Sequence, residues 1–312
     1  MKRFQKLVVT IFATLLYLIS PFILSAQASE VSITEIVNKV NIQLQSNQYA
    51  PQSVSTLKFA NLIKSKAIKN GKNNELVFIL AGQSNMAGYG TTAKLSASYK
   101  RTPSNVKFYF NGYPTKMSRF ARFGPEVSFA HAISRRFPHK KIKLIKFAVG
   151  GTSLFAWDPR WRLGKARMTR NASAGPLFKK LLQTIRTHIK DKNAQLAGVL
   201  WMQGETDARY PGAANTYSQN LAQFVSALRR ELKSPNLAFF MGEIDPPLKF
   251  FPYREIVRKA QRKSSAHIRN SRLISTKGLA KRNDHLHYNT EGQLALGMRF
   301  AQAYIQATKY RH

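Results

Sequence analysis

Four short segments of this 312-residue chain carry side chains able to do acyl-transfer chemistry, and each follows an apolar run. In segment 79–88 (Ile-Leu-Ala-Gly-Gln-Ser-Asn-Met-Ala-Gly), Ser84 stands just past a strand-like run and at the start of a helix. There its backbone N–H faces a crevice, and the helix dipole favours developing negative charge. Gly82 and Gly88 permit a tight turn and close approach of a substrate. Serine is also a common helix cap, so the position alone does not make a nucleophile. In 147–153, Gly150 and Gly151 expose backbone amides without side-chain obstruction, which suits an oxyanion hole as well as a plain turn.

In 200–207 (Leu-Trp-Met-Gln-Gly-Glu-Thr-Asp), Gln203 can turn an amide N–H toward an oxyanion and Trp201 can wall a pocket. A core tryptophan and a surface polar turn are the plainer alternatives. Glu205 and Asp207, two residues apart, are weak grounds for a glycosidase pair or a metal site, and in so basic a chain they read as structurally paired. In 283–292, Asp284 and His287 lie one turn apart, so the carboxylate can accept from Nδ1–H and leave Nε2 free to take a proton from a serine. His285 competes for that role, but its adjacency to Asp284 makes the geometry harder. His-x-His with an aspartate also suits zinc, yet no HExxH pattern or further clustered histidine supports it. No metal and no cofactor are expected.

A set of loops like this needs a sheet to hold it. From residue 75 short apolar runs (76–80, 106–110, 142–148, 196–202, 237–241 and 273–275) alternate with helical periods (125–137, 176–189, 213–232, 253–267 and 290–307). That alternation predicts a mainly parallel sheet with helices on both faces, and active residues at the carboxyl ends of its strands. Residues 29–74 lack strand signals and read as a peripheral N-terminal extension, with amphipathic helices expected around 33–44 and 54–68. Residues 1–28 carry Lys2, Arg3 and Lys6, then an apolar run, then Ala26-Gln27-Ala28, the pattern of a cleaved signal peptide. An uncleaved anchor is the alternative. The expectation is an exported chain, periplasmic or secreted, with 75–312 as its catalytic domain.

The absence of cysteine excludes a thiol nucleophile. Fifty basic residues against 14 acidic give a formal charge of +36; removal of the leader takes three basic residues and no acid, leaving +33. Such a field draws polyanions, whether an anionic glycan or a membrane surface. The charges come as scattered pairs that read as solvated faces, so no specific nucleic acid is expected.

Taken in order, Gly82-Gln83-Ser84-Asn85-Met86, Gly150-Gly151-Thr152, Trp201-Met202-Gln203-Gly204-Glu205-Thr206-Asp207 and Asp284-x-x-His287 resemble the SGNH-hydrolase superfamily. More narrowly, the chain resembles the sialate O-acetylesterase-like group that includes carbohydrate esterase family 6, the acetylxylan esterases. Gly124-Pro125-Glu126 also fits, and the likeness runs from about 75 to 307. It implies a three-layer α/β/α, flavodoxin-like fold, nucleophile Ser84, base His287 and orienting Asp284. The implied oxyanion hole is the Ser84 amide, a glycine amide from Gly150-Gly151 (Gly150 preferred) and the Gln203 side chain, where many superfamily members carry asparagine. The implied reaction is removal of O-acetyl groups from a carbohydrate: xylan, sialic acid or an envelope glycan. Gln83, Asn85, Trp201, Glu205 and Arg160 are the candidates for touching substrate, with Arg162 and Arg167 beside Arg160 for a carboxylate. A basic polyanion-binding protein on the same scaffold is the competing class.

Overall fold

A computed structural model describes residues 74–189 and 194–309. The expected leader and, but for Asn74, the expected N-terminal extension with its two helices lie outside them. The described residues begin with β1 (Glu75–Gly82), whose Leu76 to Gly82 are all buried, as a central parallel strand covered on both faces requires. The other strands of the main sheet are β3 (Val106–Phe110), β4 (Tyr113–Thr115), β6 (Lys141–Ala148), β7 (Ala194–Met202), β8 (Phe239–Gly242) and β9 (Ser271–Ile274). They lie in the order β4-β3-β6-β1-β7-β8-β9, every pairing parallel except β3 with β4. β6-β1-β7-β8-β9 is the flavodoxin order 2-1-3-4-5. The β3–β4 hairpin widens the sheet at the β6 edge.

The helices fall in two sets. α3 (Glu126–Arg136) packs against α8 (Thr290–Lys309), while α6 (Pro211–Glu231) packs against α5 (Leu177–His188) and α7 (Arg254–His267). The layers meet in a core that includes Phe78, Phe129, Trp157, Trp201, Phe224 and Phe300. Short pieces fill the loops: α1 (Ser84–Ala87), α2 (Ala97–Lys100), α4 (Leu163–Arg167) and a two-stranded ribbon of β2 (Gly90–Thr91) with β5 (Arg122–Phe123). After β1 the chain builds β3 and β6 on one side, then crosses back to β7 on the other. The carboxyl ends of β1 and β7 therefore flank the switch point, the place where open α/β sheets form a crevice.

Candidate active site

Ser84 opens α1 immediately beyond β1, where two neighbouring strands hold the turn. Gln83 N donates to Met202 O (2.9 Å) at the end of β7, and Val149 N donates to Gly82 O (3.0 Å) from the end of β6. The approach to β7 leaves no room for a side chain at Gly82, since a Cβ there would sit 2.0 Å from Met202 O, and its φ is +145°. At the other end of this single turn, Lys146 reaches up from β6. Its ammonium donates to Ala87 O (2.8 Å) and pairs with Glu126 Oε2 (2.7 Å), while Glu126 Oε1 accepts from Gly124 N (2.9 Å). Burial pushes the Lys146 pKa down, with the Glu126 charge and hydrogen bond pulling it back. This pair fixes the helix end and the Gly-Pro-Glu loop to one strand.

The glycine loop faces Ser84. A Cβ on Gly150 would lie 3.7 Å from Ser84 Cβ, whereas one on Gly151 (φ +68°) would meet nothing. The amides of Ser84, Gly150 and Gly151 donate to no backbone carbonyl of any described residue. Three unspent N–H groups thus lie on the two loops that meet at Ser84, the requirement for binding an oxyanion.

Gln203 departs from the expectation. Its side chain is wholly buried, and Nε2 donates to Thr152 O (2.9 Å) and to Asp207 Oδ2, while Tyr217 OH donates to Oε1 (3.2 Å). Both amide hydrogens are spent, so none is left for an oxyanion. Its place is under the glycine loop, which Asp207 also holds through Leu154 N (3.0 Å). Burial raises the Asp207 pKa to about 7 in spite of these donors. Trp201 is likewise no pocket wall: it is fully buried, with ring centroids 4.6 Å from Phe224 and 5.3 Å from Trp157.

Asp284 and His287 form the expected contact, Nδ1 to Oδ2 at 2.7 Å, and Asp284 Oδ1 accepts from the backbone N–H of Leu286 and His287 (2.9 Å each). Burial alone would raise the Asp284 pKa, but these hydrogen bonds outweigh it and hold the carboxylate below its usual range. His285, the rival base, is exposed with φ +54° and makes no bond to Asp284. Tyr89, which no motif in the sequence points to, stacks its ring on His287 (3.8 Å between centroids, 13° between planes), with the Arg122 guanidinium 4.6 Å from the Tyr89 centroid. A cavity of about 420 Å³ opens beside Asp284, lined among others by Tyr89, Lys94, Arg282 and Glu291, and does not include Ser84. Ser84 Oγ makes no hydrogen bond to a described residue, so Ser84 and His287 are placed by their neighbours and not by each other.

Asn85 is that neighbour. Its Nδ2 donates to Glu205 Oε1 (2.8 Å) and Leu286 O (3.2 Å), and its Oδ1 accepts from Tyr288 N (3.1 Å), so it grips the residues on either side of His287. Asn85 and Glu205 are therefore internal struts and not substrate contacts, both about 1% exposed. Glu205 Oε2 has no hydrogen-bond partner among the described residues, and burial raises the pKa of that carboxyl. Gln83 is also buried, its Oε1 accepting from Thr206 N (3.3 Å). Arg160, Arg162 and Arg167 are exposed on the segment that follows Trp157.

A parallel sheet with a serine turn, a glycine loop and an Asp–His couple on one edge defines an α/β ester hydrolase. A sequence model of the carbohydrate esterase, sialic acid-specific acetylesterase family matches residues 74–306, and the chain belongs to that family of carbohydrate acetylesterases. A probable carbohydrate esterase of Arabidopsis thaliana is 27% identical over 254 residues, covering 73% of this chain and 90% of its own. An Arabidopsis thaliana crystal structure superposes with a TM-score of 0.63 at 25% identity, covering 75% of this chain and 98% of that one. The fold is also that of NanS (TM-score 0.58, 16% identity, 77% and 99% covered) and of a carbohydrate acetylesterase from Xanthomonas citri (0.55, 18%, 73% and 55%).

Proposed function

We propose that the protein is an exported O-acetylesterase that acts on acidic glycans through an acyl-enzyme on Ser84. The observation that carries this reading is the Asp284–His287 hydrogen bond on the same edge as three unspent amides around Ser84. With an acetyl ester in the crevice, Ser84 Oγ attacks the carbonyl carbon as His287 Nε2 takes its proton. The amides of Ser84 and Gly150 hold the oxyanion, with Gly151 beside them. His287 then passes the proton to the departing sugar oxygen. Water, deprotonated by the same nitrogen, attacks the acetyl-serine, and acetate leaves with Ser84 restored.

The acidic substrate class rests on charge: 50 basic residues against 14 acidic steer anions toward any crevice, and the exposed Arg160 is proposed to meet a substrate carboxylate. Export rests on the pattern of residues 1–28, and intact-mass analysis of secreted protein should find the chain beginning near Ser29. Ser84→Ala should abolish acetate release from p-nitrophenyl acetate while its thermal melt stays close to that of the parent. Retained turnover in that variant would sink the assignment. Acetylated sialic acid, xylan and peptidoglycan compared side by side identify the substrate, with the acidic glycans expected to be preferred.

A further inference from the structure

The edge of the sheet opposite the catalytic loops carries a second cavity, about 570 Å³ in volume. It lies where α6 ends, where the chain turns into β8, and where α7 gives way to β9. Its walls include four basic side chains, Arg229, Arg230, Lys233 and Arg269, and no acidic one. The cavity beside Asp284 is different, since there Lys94, Lys281 and Arg282 face Asp284 and Glu291.

One of these cations is already engaged. Arg229 spends Nε and Nη2 on Leu237 O (3.0 and 2.7 Å), in the loop before β8, and Nη2 on Arg269 O (2.6 Å), just beyond α7. Burial and the Arg269 charge both push the Arg229 pKa down, so two guanidinium groups are held close with no acid between them. The remaining three are exposed and poorly neutralised. Arg230 comes only to 3.9 Å from Glu231, whose other oxygen is taken by Arg186 at 2.8 Å. Lys233 and Arg269 have no acidic partner among the described residues.

We propose that this cavity is a secondary binding site for an acidic polysaccharide, whose carboxylate or sulfate groups meet the three exposed cations, Arg230, Lys233 and Arg269. Val225, Pro235 and Ile268, also in the lining, offer aliphatic surface for the C–H face of a sugar ring. No aromatic side chain lines it, so a single-stranded nucleic acid would find charge but no stacking platform. Because the site sits at the strand ends farthest from Ser84, its occupant does not compete at the nucleophile. It holds the polymer while the catalytic edge works elsewhere on it. Binding in this cavity needs neither Ser84 nor His287.

The test uses the full chain, a fluorescent heparin oligosaccharide, an oligogalacturonate and a 20-nucleotide single-stranded DNA, each titrated between 50 and 200 mM NaCl. Arg230→Glu with Arg269→Glu is compared with a charge-matched control, Lys107→Glu with Lys179→Glu, both exposed and elsewhere on the surface. The cavity pair should weaken both glycans at least tenfold and lower the salt slope by about two, one per lost contact, with less than twofold change in the control. Hydrolysis of p-nitrophenyl acetate should be unchanged in both, which shows that each variant is folded. Equal losses in the two pairs would mean a diffuse field, and unchanged binding in the cavity pair, or DNA held more tightly than either glycan, would equally overturn the site.

Discussion

At the scale of the residue, Asp284 accepts three hydrogen bonds and is held below its ordinary pKa of 3.8. A carboxylate depressed in this way contributes stability at pH values above 3.8 and loses that contribution only as pH falls through the lower folded value. It is therefore ionised throughout pH 5 to 8 and sets no limb of the activity profile in that range. Asp284→Asn should lower kcat on the order of 10⁴-fold at every pH tested, by losing the ring orientation. Asp207 titrates the other way. Its pKa is raised from 3.8 to about 7, so the stability it contributes is complete below pH 3.8 and lost as pH rises through about 7. Thermal melts at pH 5 and 8 should show a smaller fall in Asp207→Asn than in the parent. Asn85→Ala leaves Glu205, Leu286 and Tyr288 each short of a partner, at roughly 1–3 kcal/mol apiece in stability. Its kcat should fall about 100-fold, with KM nearly unchanged, because the loop carrying His287, the proposed base, loses its tie to the Ser84 turn.

At the scale of the element, the buried Lys146–Glu126 pair is expected to matter more than its distance from the chemistry suggests. α1 has one turn, and Ala87 O, at its end, is bound by the Lys146 ammonium. Removing one member of such a pair strands the other charge, typically at 3–5 kcal/mol, so Lys146→Met should lower the melting temperature far more than Lys146→Met with Glu126→Leu. The main strands and helices were legible because each carries a long apolar run or helical period. The β3–β4 hairpin was missed although Asn111-Gly112 is a strong turn signal, and both residues do take positive φ (+48° and +91°). The two-residue strands β2 and β5 carry too few residues for any period to show. At the site, the types of Ser84, Asp284 and His287 and their order were readable from the sequence. The work of Gln203, Asn85 and Glu205 was not, since each is decided by partners distant in sequence or hidden by folding. Polar residues on a substrate-facing loop and polar struts beneath it look alike in one dimension.

At the scale of the whole molecule, the aromatic centre and the basic surface answer to different conditions. Trp201 contacts Trp157, Phe224 and Phe239 inside the core, and Trp201→Ala should cost about 3–5 kcal/mol in denaturant unfolding, a large share of a domain's total. Salt should scarcely touch that core while weakening capture of anionic substrates, seen as a KM that climbs with ionic strength. The Asn85 bridge joins positions 203 residues apart, Oδ1 to the amide of Tyr288. The Ser84 turn and the histidine loop are thereby parts of one opening unit, however far apart they lie along the chain. Followed by amide hydrogen exchange, the amides of Met86, Ala87 and Tyr288 should become deuterated at a common rate, and Asn85→Ala should split that rate in two.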